Sequence, residues 1–331
     1  MKANGLSRRR FNWMGLTALG AGSAWAQMDV ATHTALGLDK PIDWSQPING
    51  HTTAEVAASL NPPEDRQYNP CAEAYPPAGA PRGTERHIER WNDSRIFDGT
   101  TRDIWIYRPA QLDTSTLPPD LIVFQDGAMY RDPTGPVRAT AVLDTLIHTG
   151  ELRPTVGVFV NPGARPNESD PLIGQRSFEY DSLTDTYVRF VMDELLPLVE
   201  DEIGRPLSTD PARRIICGIS SGGICAWTAA WFRPDAFGRV LSHCGSFTNI
   251  RGGHNYPYLV RTTPRKPIRA FLTSGAKDLD IPLGDWALAN KQMAAALEYA
   301  GYDHEFVFGE GGHSLRHGGA MFGDSLRWLM R

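Results

Sequence analysis

The strand-like run Arg214 to Cys217 leads into Gly218-Ile219-Ser220-Ser221-Gly222-Gly223 and then into a helix-compatible stretch, Ile224 to Phe232. A serine with glycines two positions to either side, in the order strand, turn, helix, is the pattern of a nucleophile lifted clear of a sheet on a strained turn. The glycines are needed because side chains at those positions would collide. A serine hydroxyl attacks poorly at neutral pH, so it needs a base within hydrogen-bond reach and a carboxylate that holds the base in the right tautomer. Downstream histidines are His243, His254, His304, His313 and His317. His313 stands in Gly311-Gly312-His313-Ser314, just after a strand-like run from His304 to Phe308, where a loop can swing an imidazole over the edge of a sheet. His304 reads as a strand residue, and His317 as a helix-start or supporting group. The acid belongs on the loop after Ile268 to Leu272, which offers both Asp278 and Asp280; Asp278 is favoured, and only geometry separates them. Attack on an ester carbonyl builds an oxyanion that preplaced N–H groups must meet. One such donor is the Ser221 amide, and the other is the Gly127 or Ala128 amide in the loop after Leu121 to Phe124.

These residues require a scaffold that carries several loops to one edge, and the hydropathy pattern supplies it. From about Gly83 onward strand-like and helix-like segments alternate. Thr101 to Tyr107 alternates apolar and polar residues as a half-buried strand does. Leu121 to Phe124, Val156 to Val160, Arg214 to Cys217, Val240 to Ser242, Ile268 to Leu272 and His304 to Phe308 are mostly continuous apolar runs, as in strands covered on both faces. Leu183, Tyr187, Val191, Leu195, Val199 and Ile203 recur every fourth residue, with Pro197 set to interrupt that helix. Asp285 can cap a helix that turns Trp286, Met293 and Leu297 inward and stops at Gly301. Short connections between alternating strands and helices predict one α/β domain around a mainly parallel sheet, over residues 83–331. Residues 27–82 hold eight of the 25 prolines without sustained periodicity, and read as an irregular extension lying on that body.

The first segment reads as an address. Ser7-Arg8-Arg9-Arg10-Phe11, an apolar run from Trp13 to Ala26, and small residues at Ala24 and Ala26 match a twin-arginine export signal over residues 1–26, which places the mature protein outside the cytoplasm. That segment holds four of the 33 basic residues and no acid, so the remainder carries 29 bases against 38 acids, or -9. A chain so acidic lacks the clustered cations that nucleic acid demands. Four cysteines are too few for a disulfide framework and lack the paired spacing of a zinc site. Cys217 and Cys225 read as small apolar packing residues.

The stretches Gly218 to Phe247, the FQDG loop, Arg176 to Phe190 and the GGHS loop together resemble the enterochelin esterase and feruloyl esterase branch of the α/β-hydrolases, a branch similar to S-formylglutathione hydrolases and mycolyltransferases. The resemblance runs from about residue 83 to the end. It implies a triad of Ser220, Asp278 and His313, no metal or other cofactor, and no large lid domain. GSFTNIRGGHNYP together with KDLDIPLGDW also resembles an exported bacterial subgroup often labelled esterase or gluconolactonase-like. Cys244 departs from the small polar residue common at its place.

For substrate, Arg251 and His254 fit either a clamp for a carboxylate, phenolate or sugar hydroxyl, or a solvated surface loop. Tyr130, Arg176, Tyr256 and Trp286 are further candidates for the pocket, while Arg176, Glu179 and Asp181 fit a structural polar network equally well. The expected function is an exported serine esterase acting on a sugar, aryl-acid, siderophore or cyclic ester. The rivals are an acyltransferase with the same triad and a non-catalytic carbohydrate or siderophore binder.

Overall fold

Each continuous apolar run becomes a strand whose alternate residues feed two different cores. In the computed structural model, which describes residue 60, residues 62–166 and residues 174–331, the strands are β1 Thr84–Trp91, β2 Arg102–Arg108, β3 Asp120–Gln125, β4 Thr155–Val160, β5 Arg214–Ile219, β6 Arg239–His243, β7 Arg269–Lys277, β8 Asp280–Ile281, β9 Gly284–Asp285 and β10 Asp303–Gly312. Eight of them form one sheet in the order β1-β2-β4-β3-β5-β6-β7-β10, while β8 and β9 make a small separate hairpin. Pairing is parallel from β4 through β10 and antiparallel at β1-β2 and β2-β4. On β3, Leu121 and Val123 enter the core on one face, and Ile122 and Phe124 enter the core on the other. Burial on both faces explains why these strands show no alternation. The architecture is an α/β-hydrolase fold with helices on both sides of a mainly parallel sheet.

The export segment and most of the proline-rich stretch lie outside the described residues. Of that stretch residue 60 and residues 62–82 are described, and the latter form short 3₁₀ turns at Pro63–Gln67 and Ala72–Ala74 and lie against the body. All four cysteines are free thiols, with Cys217, Cys225 and Cys244 buried.

Three readings of the sequence change. β2 is not half-buried: Ile104, Trp105, Ile106 and Tyr107 are all buried, because β2 lies inside the sheet between β1 and β4. β1 was hidden by its composition, TERHIERW, which is that of an exposed edge guarded by charge. The four-residue period from Leu183 to Ile203 is not one helix. It divides into Thr186–Phe190, a π turn at Val191–Leu195 and Leu196–Ile203. Pro197 has no N–H for a carbonyl one turn back and its ring crowds that carbonyl, and the widened turn just before it accommodates both defects.

The helix Trp286–Tyr299 forms as expected. Asp285 caps it by accepting the Leu288 N–H at 2.8 Å, and Trp286, Met293 and Leu297 are buried. The helix Ser221–Phe232 is buried on all sides from Ser221 to Trp231, which fixes the turn that precedes it. The expected collision is severe at Gly218 but not at Gly222, where a Cβ would stand 3.1 Å from Gln125 Cβ, a tight contact only. A Cβ on Gly218 would stand 2.3 Å from the Gly222 carbonyl oxygen, and one on Gly223 would stand 2.7 Å from Ser242 Oγ. Gly218→Ala is therefore expected to cost at least about 3 kcal/mol, by the scale of overpacking a rigid core. A urea midpoint indistinguishable from that of the parent chain would show that the turn has slack.

Candidate active site

Parallel strands deliver their carboxyl ends to one edge, and ligands bind outside that edge. Ile219 pairs with His243, and His243 with Thr273, so the residues following β5, β6 and β7 emerge side by side. Gly312 at the end of β10 pairs with Lys277 at the end of β7, which brings His313 beside Asp278. Ser220, Asp278 and His313 thus come from three different loops on one edge.

Ser220 has φ 60° and ψ -123°, a conformation that a residue with a side chain avoids. Its N–H donates to the His243 carbonyl at 2.9 Å, and its carbonyl accepts from Gly223, Ile224 and Ser246. The Ser220 hydroxyl lies 3.3 Å from Ser246 Oγ, which also accepts the Trp286 indole N–H at 3.1 Å. Indole can only donate, so Ser246 Oγ spends one lone pair on Trp286 and keeps a second lone pair and its own proton, either of which can meet the Ser220 hydroxyl. Ser246 is a site residue that sequence reasoning passed over, since a serine in a Gly-Ser-Phe loop carries no signature.

Asp278 Oδ1 lies 2.6 Å from His313 Nδ1. Burial works to raise the Asp278 pKa, but the His313 hydrogen bond and charge, the Ser274 hydroxyl at 2.7 Å and the Leu279 N–H at 2.9 Å outweigh it and hold the group below the usual carboxylate value. An ionised carboxylate only accepts, so Nδ1 carries a proton, and in the uncharged tautomer the lone pair stands on Nε2. The Trp286 ring meets the imidazole edge-on, 5.7 Å between centroids. Asp280, the rival acid, is exposed in the β8-β9 hairpin.

Ser220, Ser221, His313, Arg176 and Trp286 all line one cavity of about 700 Å³. Its wall is otherwise largely apolar, with Met129, Ile219, Ile250, Leu279 and Leu283, and it also carries Arg138 and Arg316. Arg176 is not a free cation: it makes a two-pronged pair with Asp126 at 2.8 and 2.9 Å.

Other candidates take different places. Tyr130 is fully buried, its hydroxyl 3.0 Å from His243 Nδ1, because the short helix Gly127–Arg131 turns that ring onto Phe124. Tyr256 is also core, donating to Thr228 Oγ1 at 2.8 Å. Arg251 stands outside the cavity lining, where its Nε donates to Ser177 and its guanidinium lies over Phe178. His254 is exposed and borders a separate shallow depression with Leu288 and Gln292. Glu179 is structural, since it accepts both Arg102 guanidinium nitrogens with neither side chain exposed.

The loop after β3 also differs in its reason for glycine. A Cβ on Gly127 would meet the β4 backbone at Phe159 and Val160 at 2.4 Å, so strand packing demands the glycine, not approach of a ligand. The Ala128 N–H donates to the Asn161 side-chain oxygen at 3.1 Å, an anchor the sequence did not announce. Gly127 opens its helix and therefore has no intrahelical acceptor for its N–H, as is true of Ser221 at the start of Ser221–Phe232.

Among the described residues, the group whose spacing could suit a metal is Cys244, Asp278 and His313, with ligand atoms within 4.8 Å of one another. Its chemistry fits a proton relay better. Burial, followed by the neighbouring Asp278 charge, holds the Cys244 thiol protonated, and the His313 Nδ1 facing the carboxylate carries a proton that a metal ion there would have to displace.

The family model "Esterase", described as "Putative esterase", matches residues 96–326, which include all three residues. The chain is 30% identical over 245 residues to the iron(III) enterobactin esterase of Dickeya dadantii, covering 69% of this chain and 52% of that protein. It therefore spans about half the length of that curated relative, and 34% of the iron(III) salmochelin esterase of Escherichia coli. The solved enterobactin esterase of Shigella flexneri superposes with a TM-score of 0.56 at 25% identity, covering 77% of this chain and 60% of that one. The ferulic acid esterase of Anaeromyces mucronatus shares the fold, with a TM-score of 0.62 at 16% identity over 78% of this chain and 95% of that one.

Asp181 lies beneath this site, fully buried, with the Ser177 and Ser221 hydroxyls alongside and neither carboxylate oxygen in a completed hydrogen bond. Burial pushes its pKa up to about 6, offset only in part by Ser177 and by the charge of Arg176. Because the folded value is raised, the folded chain binds this proton more readily than the unfolded chain, so Asp181 destabilises the fold above about pH 6 and that cost fades as pH falls towards 4. Asp181→Asn should accordingly stabilise the protein by up to about 3 kcal/mol at pH 8 and by less at pH 5. Denaturant unfolding at the two pH values checks this, and a gain independent of pH would contradict it.

Proposed function

The chain belongs to the esterase family, and from that premise we propose that it hydrolyses a carboxylic ester through an acyl-enzyme formed on Ser220. His313 Nε2 takes the Ser220 proton as Oγ attacks the carbonyl carbon, Asp278 holds the ring and stabilises its cation, and the Ser221 and Gly127 N–H groups meet the oxyanion. His313 returns the proton to the departing alcohol. Water then repeats the sequence in place of serine and releases the acid. The observation that carries this reading is the 2.6 Å carboxylate-imidazole bond opening onto the same cavity as the strained serine.

The substrate we propose is an ester of a phenolic aryl acid, either simple or within a siderophore. Support comes from an apolar wall with the Trp286 ring beside the imidazole, which suits an aromatic acyl group, and from Arg138 and Arg316, which suit its phenolate or carboxylate oxygens. Relatives named for enterobactin, salmochelin and ferulic acid point the same way. The twin-arginine-like leader over residues 1–26 supports action outside the cytoplasm.

With a p-nitrophenyl ester, pre-steady-state kinetics should release a burst of nitrophenolate equal to the enzyme concentration. Ser220→Ala should abolish the burst and lower kcat by roughly 10⁴-fold or more. Sustained turnover by that variant would refute the mechanism. Arg316→Gln should lower kcat/KM for a hydroxylated benzoyl ester more than for an acetyl ester, and equal effects on both would count against a phenolic substrate.

A further inference from the structure

The loop that carries His313 lies where the sheet stops supporting its own backbone. β10 is the edge strand, and its register with β7 breaks between Gly309 and Gly312, so Glu310 and Gly311 fall out of the ladder. The missing partners come from far upstream. The Tyr68 hydroxyl oxygen accepts the Glu310 N–H at 3.0 Å. Asp65 Oδ1 accepts the Gly312 N–H at 2.8 Å, and its Oδ2 accepts the Ser314 hydroxyl at 2.6 Å. Gly312 and Ser314 are the residues on either side of His313.

Ser314 Oγ in turn accepts the Arg316 N–H at 3.2 Å and so caps the helix Leu315–Ala320. One carboxylate thus ties the end of β10 to the start of the next helix across the histidine. The Tyr68 ring stacks on His317 at 4.5 Å, and the Cys71 N–H donates to the Gly319 carbonyl at 3.2 Å. Asp65 itself is 2% exposed. The glycines of this loop fit the same strap. A Cβ on Gly309 would stand 2.2 Å from the Tyr68 hydroxyl, and one on Gly311 would stand 2.6 Å from Asp65 Oδ1. The strap also reaches the cavity, whose wall includes Leu60 and Pro70.

We propose that Asp65 is a positioning residue for the reaction, holding the backbone on both sides of His313 so that the imidazole keeps its place between Asp278 and Ser220. The strap lies outside residues 96–326, so this support belongs to the chain's own upstream segment and not to the matched region. The proposal rests on the reading of His313 as the base. A carboxylate that merely stabilised the fold would change how much active protein survives. One that positions the base changes turnover in each surviving site, at unchanged substrate affinity.

The test measures kcat and KM for the full chain, normalised to folded sites counted from the amplitude of the denaturant unfolding transition, in Asp65→Ala, Asp65→Asn and His313→Ala. Asp65→Ala should lower kcat per site by about tenfold to a hundredfold with KM within about twofold, since small misplacements of a catalytic group cost that much. Asp65→Asn should recover most of the loss, because its amide oxygen still accepts the Gly312 N–H. Unchanged kcat per site in Asp65→Ala, or a loss lying wholly in KM, overturns the proposal. If Asp65→Ala does not fold, Ser314→Ala removes one of the two bonds and carries the test, with about a threefold fall in kcat per site expected and no fall overturning it. An active His313→Ala would overturn the triad reading instead, whereas a silent His313→Ala beside a normal Asp65→Ala would overturn the strap alone.

Discussion

The backbone at Ser220 is the constraint around which this edge of the molecule is arranged. A residue held at φ 60° and ψ -123° costs of order 1–3 kcal/mol and persists only where its surroundings leave no alternative. Here the surroundings are a helix buried on every side from Ser221 to Trp231, glycines at Gly218 and Gly223 that no side chain can replace without collision, and hydrogen bonds on both sides of the Ser220 peptide unit. Asp126 at the end of β3 and Cys244 at the end of β6 also have positive φ, at 52° and 47°. Three neighbouring strands, β3, β5 and β6, therefore end in unfavourable backbone at the same edge, and the cavity opens there. Such concentration is expected where a protein trades local stability for chemistry.

The electrostatic arrangement around the serine is equally uneven. His243 lies behind it, fully buried, with a pKa lowered to about 3 by burial and then by His317 nearby, so it stays neutral and serves as packing and as a partner for Tyr130. His313, by contrast, has an ionised carboxylate on one nitrogen and a cavity beside its ring. His243 ends β6 and His313 follows β10 on the same sheet edge, and burial at the first, set against a carboxylate and an open cavity at the second, separates an inert ring from a candidate base. Asp126 and Arg176 form a second charged pair at the cavity, which neutralises most of the cation that sequence alone offered as a clamp.

What the sequence makes legible follows from how local each signal is. The elbow at Ser220, the apolar strands and the Asp285 cap are written in contiguous residues, so steric and hydrophobic rules recover them. Asp278 could be narrowed to one loop but not separated from Asp280, since two residues of chain decide between burial against His313 and exposure in the β8-β9 hairpin. Tyr130 and Tyr256 were misplaced because an aromatic ring near a loop can turn either into a cavity or into the core, and the backbone decides which. Ser246 and Asp65 carry no local signature. Their partners are 26 residues and 247 or more residues away, so their roles exist only after folding.

The same locality explains why the three candidate residues need different kinds of support. Ser220 is held by its own helix, whose burial comes from its own sequence. Asp278 is held by Ser274 and by the N–H of Leu279, both within four residues, so its loop is nearly self-sufficient. His313 has neither advantage: it follows a strand at the edge of the sheet, after a bulge, through glycines that add no side-chain contacts. An unpaired edge backbone in that position must find acceptors elsewhere or leave its N–H groups to water. The upstream segment supplies those acceptors at Tyr68 and Asp65, which gives a physical reason for residues 62–82, which have no sustained periodicity of their own, to lie against the α/β body.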